Sequence, residues 1–163
     1  MSIAHLHLAL NHFPVIGSVI IAMLLTVAVY RKSSELGKVS LALAALVGAV
    51  TVAVFFTGEP AEALIEKLPG FSEAIVERHE EAALIATLDV SGLGVLALGT
   101  LTWHRGGRAL SRRATSAALA LAIGATGVMG YTAFLGGQVR HTEVRPPGAA
   151  TSGTTERPND NGH

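Results

Sequence analysis

Apolar residues gather into four blocks along the chain, roughly 13–30, 39–57, 82–103 and 114–135, separated by shorter stretches rich in charge, glycine and proline. Each block is close to the ~20 residues with which a helix crosses the ~30 Å hydrocarbon core of a bilayer. The pattern therefore predicts an all-α protein built on four transmembrane helices. Short connections between successive blocks predict an up-down-up-down bundle.

The boundaries carry their own signals. Pro14 suits a first helical turn, which makes Asn11 a candidate N-cap and puts His12 at the mouth of the first span. In "FFTGEP", Gly58 suits the end of the second span and Pro60 the first turn of a new helix. That new helix, "PAEALIEKL", is too short and acidic to cross a membrane and is expected to lie on its surface. After Pro69 and Gly70, Ser72 is a candidate cap for a helix from about Glu73 to Trp103. At 1.5 Å per residue such a helix is roughly 45 Å long, so its first two turns, including His79, stand at or above the interface. The last span ends near "FLGGQVRHTEVRPP". Residues 1–145 thus form the membrane domain, and the Pro/Gly/Ser/Thr/Asn-rich residues 146–163 are expected to be a disordered tail.

Charge orients this bundle. The loop after the first block carries Arg31, Lys32 and Lys38, and the loop after the third carries Arg105, Arg108, Arg112 and Arg113 without an acid. The middle connection holds seven glutamates against Lys67 and Arg78. The positive-inside rule places both basic loops in the cytoplasm, and hence both termini and the acidic connection outside. No basic residue precedes the first block, so it reads as a retained span rather than a secretory signal.

Composition then limits the chemistry. Half of the 163 residues are apolar, 15% are charged, and there is no cysteine. That excludes disulfides, thiolate metal sites, iron–sulfur clusters and thioether-linked haem. No phosphate-binding glycine loop, His-Glu-x-x-His motif or serine elbow is present, so hydrolase and nucleotide functions have no support, and nothing points to nucleic acid. What the chain has instead is histidine. Under the predicted topology, His12 at the start of span one, Glu59 after span two, His79 at the start of span three and His141 after span four all meet at the outer face. His5 and His7 precede them, and only His104 falls at the inner side.

Helical phase predicts which way these groups point. His79 stacks over Ala83, Ala86, Val90, Gly94 and Ala97, while His141 projects onto an arc with Gly127, Gly130, Phe134 and Gly137. Small residues mark packed faces in membrane helices, so both histidines are expected to face the bundle interior. Asp89 is the one formal charge within an apolar block; either proton handling or a polar contact with a neighbouring helix would account for it.

Four segments, "HLALNHFPV" at 7–15, "TGEPAE" at 57–62, "LPGFSEAIVERHEE" at 68–81 and "GGQVRHTEVR" at 136–145, resemble a family of small bacterial four-helix membrane proteins, domain of unknown function 2231. Leu8 stands where that family often has proline. The resemblance implies a protein of the bacterial inner membrane whose distinctive residues are His7, His12, His79 and His141, a pattern for which haem binding has been suggested.

Three functions fit these residues. One is a b-type haem held by two of these four histidines, exchanging electrons with a quinone or a periplasmic redox protein. Another is a bare zinc, copper or iron ion held by His12, His79, His141 and Glu59. The third is a lipid-embedded accessory subunit of a larger membrane complex. All three describe an electron-transfer, binding or structural protein rather than a stand-alone enzyme.

Overall fold

The computed structural model describes residues 3–67, 70–104 and 109–145; the expected tail at 146–163 lies outside them. Six helices follow in order: α1 (Ile3–Leu10), α2 (His12–Arg31), α3 (Ser34–Phe55), α4 (Gly58–Ile65), α5 (Glu73–Trp103) and α6 (Arg112–Arg140), with a single 3₁₀ turn at Thr142–Val144. No strand occurs among the described residues. α2, α3, α5 and α6 form the four-helix bundle, each packed against two neighbours in the cyclic order α2, α3, α5, α6. Among the described residues, four helical stretches are long and apolar enough to cross a membrane.

The surface of the bundle fits that environment. Met23, Val39, Leu88, Val95, Ile123 and Phe134 are all exposed, an apolar exterior that water would penalise and hydrocarbon does not. Tyr30 and Trp103 stand out at the end with the two basic loops, where amphipathic rings favour the membrane interface. The interior is built from smaller residues, including Ala44, Ala86, Ala97, Ala118, Ala122 and Ala125 around Leu25, Leu41 and Val47. Lipid offers no hydrophobic drive for helices to associate, so close backbone approach must supply the attraction. At the α3–α5 crossing it does: a Cβ on Gly48 would come 3.1 Å from the Gly94 Cα, and one on Gly94 would come 3.2 Å from the Ala44 carbonyl oxygen. The buried hydroxyls of Ser40 and Thr51 are satisfied within their own helix, donating to Leu36 O and Val47 O, both at 2.7 Å.

At the basic end the connections are tight. Ser33 and Ser111 cap α3 and α6 by accepting from the amides of Leu36 and Ala114. Leu110 N donates to Ser34 Oγ at 2.7 Å, joining the two loops.

Three local expectations need correction. The chain is already helical before Asn11, which has αR backbone angles and makes no side-chain cap bond; Asn11 N donates to His7 O, so α1 runs almost directly into α2. Ser72 takes the extended N-cap backbone geometry, but its side chain caps nothing. Gly58 opens α4 instead of closing α3. Pro60 does fall in the first turn of α4, and α5 spans Glu73–Trp103 as the sequence predicts.

Candidate histidine site

α1 packs on α4, and this contact sets His7 against the junction of α3 and α4. His7 Nδ1 lies 2.8 Å from Thr57 Oγ1, while the Thr57 hydroxyl itself donates to Val54 O at 2.6 Å. With its hydrogen already committed, Thr57 is an acceptor for the imidazole. His7 therefore carries its proton on Nδ1 and a lone pair on Nε2. His79, in the second turn of α5, has Nδ1 3.1 Å from the Thr132 carbonyl oxygen of α6. A carbonyl accepts only, so His79 is fixed in the same tautomer. Its ring packs against α6 where Gly136 leaves room, since a Cβ there would come 3.0 Å from His79 Cε1. The two imidazoles, half-buried and borne by α1 and α5, are close enough to interact electrostatically. Glu62 of α4 and Glu80 of α5 are close enough to interact.

The other predicted residues do not join this pair. His12 is exposed and donates from Nδ1 to Leu8 O, one turn back, at 2.7 Å. His141 lies just past the end of α6, exposed, with Nδ1 3.0 Å from Glu143 Oε1. The Glu143 carboxyl is held below its usual range, first by its own backbone amide and then by His141. Glu59 is exposed on α4, and Asp89 is half-buried in the middle of α5. Among the described residues, no three His, Cys, Asp or Glu side chains form a metal-binding group, so His12, His79, His141 and Glu59 are not gathered as expected.

The phase argument holds for α5 and fails for α6. Ala86, Val90, Gly94 and Ala97 below His79 are buried. On α6 the buried face is Thr115, Ala118, Ala122, Ala125, Met129, Thr132, Leu135 and Gln138; Gly127, Gly130 and Phe134 are exposed, and Cβ atoms on the two glycines would meet nothing within 4 Å. Glycine costs little against lipid, so a small-residue row does not by itself mark the packed side. His141 also lies beyond the helix, where the projected angle no longer applies.

Residues 4–144 match the model of a family described as "Predicted membrane protein (DUF2231)". The chain belongs to this family. The stretch matching DUF2231 holds the entire bundle together with His7, Thr57, His79, Thr132, Gly136 and His141. No curated protein and no solved structure matches the chain.

Sequence reasoning missed the groups that orient the two histidines. Thr57 and Gly136 sit inside segments recognised as distinctive, yet their roles emerge only when α3, α5 and α6 are placed. It also missed Arg145. This guanidinium donates to Gln138 O and Gly70 O at 2.8 Å and to Val139 O at 3.1 Å, satisfying carbonyls at the end of α6 and tying them to the approach to α5. The available signal was a cation just after a helix end.

Proposed function

We infer that this membrane protein carries electrons through a b-type haem ligated by Nε2 of His7 and of His79. The observation that supports it is the tautomer shared by the two rings. Each spends Nδ1–H on an acceptor from another element, the arrangement that orients ligating histidines and leaves Nε2 as the donor atom. Two imidazoles suffice because the macrocycle supplies the other four iron ligands, whereas a bare ion requires a larger protein set than these residues assemble.

The surrounding residues fit such a group in donor chemistry. Gly136 and Gly58 flank the two rings, and α1 carries His7 on a short segment interrupted at Asn11 and followed by Pro14. Thr57 and Thr132 hold the imidazole planes, and Arg145 fixes the end of α6 that His79 packs against. When bound, haem supplies reversible one-electron chemistry. The basic loops at the opposite end favour a cytoplasmic orientation for that end, which would put the histidine pair on the outer side of a bacterial inner membrane.

Absorption spectroscopy of detergent-purified protein tests this reading. Reduced-minus-oxidised Soret and α bands are expected, lost in His79→Ala and retained in His104→Ala. Colourless protein carrying stoichiometric metal by elemental analysis would overturn it in favour of a metal site, and protein with neither would leave the accessory role.

A further inference from the structure

The basic end of the bundle holds a recess of about 50 Å³ where α2, the start of α3 and the start of α6 meet. Leu110 and Thr115 line it from the buried side, and Lys32, Ser33, Ser34 and Arg112 supply its other polar groups. Contacts between elements hold these walls in place. Leu110 is buried against α3, where a Cβ on Gly37 would come 3.0 Å from Leu110 Cδ2, and its amide donates to Ser34 Oγ at 2.7 Å. The volume is several times the roughly 10–15 Å³ that one water needs, yet far below the roughly 300–1,000 Å³ of small-molecule sites. It admits a single chemical group rather than a whole metabolite.

The polar lining is almost all donors. Lys32 and Arg112 are exposed cations, and among the described residues neither has a hydrogen-bond or ion-pair partner. Glu35, the acid nearest to Lys32 in sequence, is committed to Lys38 at 3.0 Å. Ser33 and Ser34 each accept from a backbone amide, which leaves both hydroxyl hydrogens unspent. Among the described residues no carboxylate, amide or imidazole side chain lines the recess. Two cations and two hydroxyl donors without a carboxylate match a tetrahedral oxyanion. Lys32 also has left-handed backbone, at φ 53°, where glycine is favoured, so a cation stands where backbone preference alone would not put one. Depth selects the source of the anion. Tyr30 and Trp103 are 87% and 76% exposed at this end, which sets it at the level of lipid headgroups, and basic pockets between membrane helices at that level take anionic headgroups. We propose that the recess binds the phosphate of an anionic phospholipid, with Lys32 and Arg112 as counter-charges and the two serine hydroxyls as donors. A zwitterionic choline lipid shares the phosphate but brings an ammonium against the two cations.

Native mass spectrometry of the full-length protein in an uncharged detergent tests this, with phosphatidylglycerol and phosphatidylcholine of identical acyl chains. One phosphatidylglycerol is expected to bind about tenfold more tightly than phosphatidylcholine, and Lys32→Gly and Arg112→Gln should each weaken it about fivefold, the effect of one cation near a headgroup. Arg31→Gln and Arg113→Gln remove the same charge from exposed residues outside the recess and should leave the affinity unchanged. Glycine suits the left-handed backbone at position 32, so Lys32→Gly should unfold no earlier than the wild type, and Arg112→Gln, at an exposed position, carries the test independently. Equal binding of the two lipids overturns the proposal. So do equal losses in all four variants, which would assign the effect to net charge, and release of phosphatidylglycerol by millimolar inorganic phosphate, which would make the recess a site for a soluble anion. The His7/His79 pair lies at the other end of the bundle, so His79→Ala should bind phosphatidylglycerol as the wild type does.

Discussion

The two ends of the bundle each hold a histidine that donates from Nδ1 to a backbone carbonyl, and the difference between them is instructive. At the basic end His104 bonds Thr100 O at 2.9 Å, one turn back in its own helix. At the other end His12 bonds Leu8 O, also one turn back, across the α1–α2 junction. Such local bonds follow from helix geometry and report nothing about neighbouring elements. At the α4 end the acceptor for His79 is 53 residues away in sequence, and the one for His7 is 50. Those bonds exist only because α5 packs on α6 and α1 reaches the start of α4. An imidazole fixed by another element is preoriented; one fixed by its own helix is simply satisfied.

Single substitutions separate the two kinds of contact. The largest effect is expected from Gly94→Val, which adds bulk facing the backbone of α3 at the helix crossing; overpacking of this kind costs about 1–3 kcal/mol. Thermal unfolding in detergent should show it as a clear loss of stability, while Gly127→Val, on the exposed face of α6, should change little. Arg145→Met comes next. It strips three charge-assisted bonds from the α6 terminus, with an expected cost of about 1.5–3 kcal/mol for the strongest of them, and faster amide exchange at the end of α6 should localise the loss. Thr57→Val removes the acceptor for His7 at nearly constant volume and should cost about 1 kcal/mol. Its sharper readout is nitrogen NMR of labelled imidazole: His7 should lose its fixed Nδ1–H tautomer while His79 keeps it. The smallest effect belongs to His104→Ala, which removes only a local bond and should leave both stability and the His7/His79 signals unchanged within error.

Much of the architecture was legible because membrane helices announce themselves by length. The four apolar blocks became α2, α3, α5 and α6, and Pro60 and the long α5 fell where local chemistry put them. Side-chain direction was harder to read. For α5 the small residues below His79 coincide with the packed face because Gly94 must meet Gly48. For α6 the glycines lie on the open face, and the packed face is made of Ala118, Ala122 and Ala125 with Met129. Both rows look alike in sequence, since neither glycine nor alanine has a strong reason to avoid lipid. The site shows the same division. His7 and His79 were among the candidates, but nothing in the local sequence distinguished them from His12 and His141. The discriminating partners, Thr57 and Thr132, lie on other elements, and Asn11, expected to cap the first span, is itself helical, so His7 belongs to a helix that the capping signal does not predict.

Electron paramagnetic resonance of oxidised, haem-loaded protein tests the central claim most directly, because it reports the axial ligands. Ligation by His7 and His79 predicts a six-coordinate low-spin signal in the wild type, retained in His12→Ala and His141→Ala. It should turn high-spin in His7→Ala, which leaves one axial imidazole. A high-spin wild type, or a low-spin signal that persists without His7, would contradict it.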